Sequence, residues 1–488
     1  MSVELQAVVD TASANIEVPV IVTLRGRSPL SSFTDARLPL RGVRLSALKR
    51  NAADSEASLD PFWRRHGARK TASLWMLDEV AVSLRVDALQ RLARRPQVQA
   101  IRLDGVLSAP QVRYGLPAAP SWNMEMISAP TLWALGYTGQ GVVVASMDTG
   151  VDPDHNDFAL RWRGGGNSWF DPHGQHPLRP FDKNGHGTQT MGVILAQAGS
   201  GGAIGAAPGA QWIAVKIFND AGQAPFSRIH EGFQWLLDPD GDPNTYDTPH
   251  VVNNSWGLTD RVNECILEFA PDIQLLRAAG IALVFAAGNA GIGGPATSVS
   301  PANNPSALAV GSVDDGKAVS PDSSRGPAPC HGNVFPHLTA PGESILTTDL
   351  TFGGIFPDAH DYVSGSSYSA AHVSGAMALL RGVFPTVSVR RLEEALLQTA
   401  EDLGPAGPDY SYGYGLVDVM AAYGYLLQSR QSTDLTGDGR TDLADMTILA
   451  GDWLRSDCGG GDSCLGDLNA DTTVDLEDWV RLAEWFAP

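Results

Sequence analysis

The chain has 488 residues and a formal net charge of −20, too long for one hydrophobic core, so two to four domains are expected. No apolar run reaches the roughly 18 residues of a membrane span, and the opening MSVELQAVVD has neither the basic nor the apolar region of a signal peptide. The acidic balance argues against nucleic acid as the partner of most of the chain.

The charge is unevenly spread. Residues 1–110 carry 16 Lys+Arg against 11 Asp+Glu, and the rest carries 18 against 43. A basic head on an acidic body favours docking of one on the other. Within the head, IEVPVIVTL reads as a strand and a polar middle follows. After it come the apolar VAVSL, a helical DALQRLARRP and a closing strand VQAIRL, which together make a small α+β unit. The proline-rich APQVRYGLPAAPSW then reads as a link.

Residues 120–428 alternate short apolar runs with helical patterns. VVVASM, QWIAVKIF, HVVNNSW, IALVFAA and ALAVGSV are apolar on both faces, which fits a parallel sheet covered by helices. The expected fold is a doubly wound α/β domain with its sites at the carboxyl ends of strands. Asp148 ends the first of those strands, in DTG. His186 stands between glycines in NGHGT, Asn289 follows a strand in AAGN, and Ser367 lies in SGSSYSAAHVSG before an apolar helical stretch. Each alone reads as a turn or cap. Together, in the order Asp, His, Ser, they offer a nucleophile, a base to take its proton, a carboxylate to orient that base, and an amide donor for an oxyanion.

SMDTGVD, NGHGT, NNSWG, AAGN and SGSSYSAAHVSG resemble, in order, the signature segments of subtilisin-like serine proteases, over residues 120–425. Within that family, GYTGQGVVVASMDTGVD and HVVNNSWG are most similar to the bacillopeptidase F type. The resemblance implies a serine endopeptidase acting on proteins or peptides. Asp148 would orient His186, His186 would serve as general base, Ser367 as nucleophile and Asn289 as oxyanion donor. Ser255, Trp256 and Gly257 would be the edge that pairs with substrate backbone. It also implies that the head is an inhibitory propeptide, cut between Asp104 and Trp122, in a chain that is secreted or at the cell surface. The chain departs from the family at Ser366, Tyr368 and Ala371, where Thr, Met and Pro are usual, and at Gln189, where His is common. Tyr368 is expected to alter access to the leaving-group side, and His372 to be structural. Asp157 matches one calcium ligand of the family, but Gly199 stands where another, an asparagine, is frequent. An α/β-hydrolase esterase is disfavoured by the chain order of the three residues and by Ser369 in place of a glycine.

Beyond residue 430 the chain is short and acidic, with a repeat that starts at Asp434 and again at Asp467. Asp434, Thr436, Asp438, Asp442 and Asp445 fall at positions 1, 3, 5, 9 and 12 of a calcium loop, with Gly439 at 6. Asp467, Asn469, Asp471, Asp475 and Asp478 repeat the spacing, with Thr472 at 6; the backbone carbonyls of Arg440 and Thr473 would complete the sets. The pattern resembles a dockerin, which implies Ca²⁺ as cofactor and a cohesin-like protein as partner. Leu443, Met446, Ile448, Leu449, Trp453, Leu476, Trp479, Leu482 and Trp485 are the expected core of an independently folding tail. DPDGDPNTYD (238–247) is a weaker calcium candidate, with a solvated loop as the plainer reading. Cys458 and Cys464 suit a small disulfide loop, whereas Cys265 and Cys330 are either paired or free.

The expected organisation is thus residues 1–108 as a propeptide-like α+β unit, 109–429 as a subtilisin-like α/β peptidase domain and 430–488 as a helical calcium-loop module. The alternative is an inactive protease fold that serves as a calcium-dependent binding protein through its tail.

Overall fold

The computed structural model describes the chain except residues 27–40, 120, 198–203, 331, 333, 437–440, 457, 459–463, 470, 484 and 486–488, and the side chains of 431 and 432. Strand β1 (Glu17–Leu24) lies between β3 (Glu79–Arg85) and β4 (Val98–Leu103), and β2 (Arg69–Leu74) borders β3. All three pairings of this sheet are antiparallel. Its alternating strands bury Val18, Val20 and Val22 against helices Val3–Thr11 and Asp60–His66, while Ile21, Ala72, Leu74 and Ala81 face the body at Phe226. The polar middle of the sequence is not irregular. Its described part holds the helices Arg41–Ala57 and Asp60–His66 and strand β2, because its few apolar residues, Leu45 and Leu48, fall on one helical face.

The body is built on a seven-stranded sheet. β5 (Val106–Ser108) precedes it in the chain. Its strands are β6 (Val143–Asp148), β7 (Trp169–Phe170), β8 (Gln211–Lys216), β10 (Val251–Asn254), β11 (Ala282–Ala286), β12 (Leu308–Val313) and β13 (Leu338–Pro341). Their spatial order is β13-β12-β11-β10-β6-β8-β7, and every pairing is parallel. The helices His186–Leu195 and Ser366–Val383 cover one face, with Met191, Ile194, Met377 and Leu380 in the core. The helices Phe226–Leu237 and Ala270–Ala278 cover the other, through Phe233, Leu236, Ile273 and Leu276. Burial on both faces is why these strands read as unbroken apolar runs. The two-residue β7 is too short for that reading, and in β13 Thr339 and Pro341 break the apolar run. Three further short strands lie outside the main sheet: β9 (Gln223–Pro225) pairs with β5, and β14 (Ile345–Thr348) with β15 (His360–Val363).

The second of these cores also takes in Leu45, Leu48, Met76, Leu77 and Leu107 of the N-terminal unit, so head and body share one buried surface. Polar contacts fix the register. Arg102 donates two hydrogen bonds to Glu79, at 2.8 and 2.7 Å, and one to Glu268 of the body at 2.7 Å. Asp104 accepts from the backbone N–H and hydroxyl of Ser227, which caps the helix Phe226–Leu237 from outside the body. Cys265 and Cys330 form a disulfide, as do Cys458 and Cys464.

In the C-terminal segment the helices are Leu443–Gly451 and Leu476–Ala483. The expected tail core is smaller than the sequence pattern indicates. Leu449, Val474 and Leu482 are buried, but Leu443, Leu476, Trp453 and Trp479 are exposed. Trp485 does not join them; it packs edge-on against Phe384 of the body, ring centroids 5.5 Å apart. Two short helices cannot enclose four more large side chains, so the segment leans on the body instead.

Candidate active site

Asp148 is the last residue of β6 and is fully buried, with its Oδ1 accepting from the Thr149 N–H at 2.7 Å. The helix His186–Leu195 starts against that strand end. The approach is so close that a Cβ on Gly187 would lie 2.0 Å from the Gly150 carbonyl oxygen, hence the glycine after the histidine. Asp182 anchors the same helix start by accepting from the N–H groups of Asn184, Gly185 and Thr188. Burial pushes its carboxyl up, while those donors oppose the shift. His186 Nδ1 then lies 2.8 and 3.0 Å from the two Asp148 oxygens. That contact fixes which ring nitrogen carries the proton and turns Nε2 outward.

Ser367 opens the helix Ser366–Val383, behind Gly365 at φ +140°, a backbone conformation that side chains disfavour. Its carbonyl accepts from Ser255 Oγ at 2.8 Å, and its own Oγ donates to the Ser255 carbonyl at 3.4 Å. Asn253 supports Ser255 by donating to its Oγ at 2.9 Å. No hydrogen bond joins Ser367 to His186 in this state. Asn289 Oδ1 accepts from both the N–H and the hydroxyl of Ser366, each at 2.9 Å. The amide is thereby oriented with Nδ2 beside Gly365, where an added Cβ would lie 3.2 Å from it. Ser366 was legible in the sequence only as a departure from the usual threonine; its hydroxyl is what holds Asn289.

Ser367, Asn289, Ser255, Trp256 and Gly257 line one cavity of about 370 Å³ with Ala109, Pro110, Gln111 and Arg113. A larger cavity of about 630 Å³, bounded by Asp152, His176, Arg179 and Phe181, contains none of Asp148, His186 and Ser367, so size alone does not locate the site. The chain crosses the smaller cavity in an extended path. β5 pairs with β9, the Ala109 N–H donates to the Gly222 carbonyl at 2.7 Å, and the Ser364 N–H donates to the Arg113 carbonyl at 2.8 Å. Residues 110–112 therefore span the gap between the two anchored flanks, beside Ser367. Two walls hold this segment by hydrogen bonds, 222–225 before the gap and 362–364 after it, and sequence reasoning missed both. Among the described residues, Ser255, Trp256 and Gly257 make no backbone hydrogen bond to it, and Trp256 is buried among Phe233, Phe269 and Phe285.

Tyr368 does not enter the leaving-group side. It is buried, and its hydroxyl donates to Gln189 Oε1 at 2.8 Å, so the two departures from the family pattern satisfy each other. His372 is enclosed in the helix, its Nδ1 2.7 Å from the Tyr368 carbonyl and its Nε2 2.7 Å from Asn123. Burial pushes its pKa down to about 4, so it stays neutral.

Residues 139–415, more than half of the chain, match the family model described as the subtilase family, Peptidase_S8. The chain belongs to the subtilase family. It is 31% identical to bacillopeptidase F of Bacillus subtilis (strain 168) over 434 residues, covering 82% of this chain and 30% of that protein. With subtilisin E of the same organism it shares 32% over 351 residues, 71% of this chain and 81% of the relative. With subtilisin of Bacillus pumilus it shares 33% over 304 residues, 62% and 98%. This subtilase thus spans about a third of bacillopeptidase F but most of each subtilisin.

The acidic loops of the C-terminal segment are arranged around N–H groups. Asp445 accepts from Thr436 and Asp442, and Asp478 accepts from Leu468, Asn469 and Asp475; both carboxylates are fully buried. Burial opposes ionisation of Asp445, but the N–H donors hold its carboxyl below the usual range. Asp442 and Asp475 accept from Ala444 and Glu477 at the two helix starts. Asp467, Asn469 and Asp471 converge on one turn, where Asp467 and Asn469 both accept from the Asp471 N–H and Asp471 accepts from Thr473. Thr436 donates to Asp434 at 3.3 Å. Asp438, Gly439 and Arg440 lie outside the described residues, as does Gly199. Hard oxygens at positions 1, 3 and 5 of a tight turn suit calcium, and Thr472 at position 6 is forced to φ +77°, the conformation for which glycine is the natural choice.

Proposed function

We propose that this subtilase is a serine endopeptidase made as an autoinhibited precursor that cuts its own segment between Ala109 and Arg113. The observation that carries this reading is the passage of residues 110–112 beside Ser367, with both flanks held in extended hydrogen bonds. His186, oriented by Asp148, takes the Ser367 proton as Oγ attacks the substrate carbonyl. Asn289 Nδ2 donates to the oxyanion, and His186 returns the proton to the leaving amine, which leaves an acyl-enzyme for water to hydrolyse. That no hydrogen bond joins Ser367 to His186 at rest is compatible with this, since such bonds tighten in the substrate complex.

The substrates are proteins or peptides in extended form, and the chain works outside the cell, as does a relative named for that location, the minor extracellular protease Epr of Bacillus subtilis. The C-terminal segment is a calcium-loop module of dockerin kind. Its ligands are Asp434, Thr436, Asp438, Asp442 and Asp445 in one loop and Asp467, Asn469, Asp471, Asp475 and Asp478 in the other, with the carbonyls of Arg440 and Thr473. Its partner is a cohesin-like protein. A fluorophosphonate probe tests the catalytic claim: it labels the processed protein and fails to label Ser367→Ala. Absence of labelling in the parent would favour the inactive-fold alternative.

A further inference from the structure

The helix Arg41–Ala57 of the N-terminal unit lies over the body loop 238–247. Asp238, Asp240 and Asp247 each bring a carboxylate oxygen within 4.8 Å of the other two. Asp238 is only 5% exposed, and its Oδ1, like Oδ1 of Asp247, is buried without a hydrogen-bond partner. A cation from the head already sits among them. Lys49 Nζ pairs with Asp238 Oδ2 and donates to the Gly241 carbonyl at 2.9 Å. Arg41 donates to the carbonyls of Leu237 and Thr245, at 2.5 and 2.8 Å, and a Cβ on Gly42 would lie 2.6 Å from Asn244 Oδ1. From the body, Arg163 donates to the Asp247 carbonyl at 2.6 Å, and its guanidinium charge also acts on Asp240 and Asp247.

The Lys49 ammonium and the Arg163 guanidinium bring two positive charges to three carboxylates, and buried oxygens without partners are costly. When the N-terminal unit departs, Lys49 goes with it and the imbalance grows. Clustered carboxylates beside the Leu237, Gly241 and Thr245 carbonyls, which lose their donors when Arg41 and Lys49 depart, are the donor set of a hard divalent cation, and a flexible set of this kind suits calcium rather than magnesium.

We propose that Asp238, Asp240 and Asp247 form a calcium site of the mature protease, and that Lys49 holds this site as a substitute cation in the precursor. Calcium and the N-terminal unit then compete for one loop. By linkage, calcium weakens the hold of the head by the same factor as the head weakens calcium binding. The proposal rests on the reading that the head is removed, but its test does not depend on cleavage.

The test uses the full-length Ser367→Ala chain and counts bound calcium by equilibrium dialysis, with and without Lys49→Met. The tail loops contribute equally to both proteins. Lys49→Met is expected to bind one additional calcium per chain, or to bind one at least tenfold more tightly. Adding Asp238→Asn, or Asp240→Asn if the buried position does not tolerate the change, is expected to remove that gain. Identical binding with and without Lys49→Met would overturn the proposal. So would a gain that survives the loop substitutions in a protein whose circular dichroism is unchanged.

Discussion

The two ends of this subtilase are both small, yet they meet the body by different means. The N-terminal unit contributes Leu45, Leu48, Met76, Leu77 and Leu107 to a core of the body, adds the partly buried Arg102 ion pairs, and sends its final segment past Ser367. The described C-terminal segment inserts Trp485 against Phe384, and its helix Leu476–Ala483 borders Arg390, Arg391 and Glu394 across an open groove. An inhibitor, which the N-terminal unit is proposed to be, must bind tightly and yet be removable, and the hold seen here is divided between apolar burial and polar contacts concentrated in a few residues. A tail that only needs attachment requires one anchor. Changes at the head should therefore alter turnover and processing, whereas changes at the tail should alter neither.

The largest effect expected, short of removing Ser367, is at Asn289. Asn289→Ala should lower kcat on the order of 100- to 1,000-fold with little change in KM, the magnitude known for an oxyanion-hole donor in subtilisin itself. A change confined to KM in steady-state peptide hydrolysis would assign the side chain to binding alone.

Next is the ion pair between head and body. Arg102→Ala leaves Glu79 and Glu268 without their shared cation, and losing charge-assisted hydrogen bonds at a partly buried site costs about 2 kcal/mol. Denaturant melts of the Ser367→Ala precursor should show this loss, while Arg85→Ala, at an exposed pair with Asp87, should cost under about 1 kcal/mol.

The same interface carries a pH dependence. Burial lowers the pKa of His230, but Asp272 and Glu268, at 3.0–3.1 Å, outweigh it and raise the value to about 10. A histidine whose pKa is raised on folding stabilises the fold fully below its unfolded pKa of about 6.5. That contribution fades as pH rises and is lost through about 10. Thermal melts of the Ser367→Ala precursor between pH 6 and 10 should fall in Tm, and His230→Gln should flatten the slope.

How much of this was legible in the sequence differs between the same regions. The body was, because strands buried on both faces leave continuous apolar runs and because Asp148, His186, Asn289 and Ser367 stand beside glycines that the close approaches require. The head was read as two strands, a helix and a strand, and its long helix 41–57 was missed. That helix buries only a narrow stripe, Leu45, Leu48 and Ala52, and much of what the stripe packs on belongs to the body. Residues 222–225 carry no chemical signature, since they act through backbone groups. In the tail, the repeated acidic spacing was readable but packing was not, because Trp485 takes its partner from the body.

The smallest effects belong to the tail. Trp485→Ala should leave peptide hydrolysis within about twofold of the parent while exposing the segment to limited proteolysis. Thr472→Gly should stabilise the second loop by about 1 kcal/mol, since the residue already adopts positive φ; calcium titrations followed by tryptophan fluorescence would read the gain.

The central claim is that Ser367 cuts the segment lying across it, and intact mass with N-terminal sequencing of the purified chain tests this most directly. The account predicts that the parent protein yields a new N-terminus within residues 110–113 and that Ser367→Ala stays at full length under the same incubation. A parent chain cut outside that window, or a Ser367→Ala chain cut at the same bond at the same rate, would contradict it.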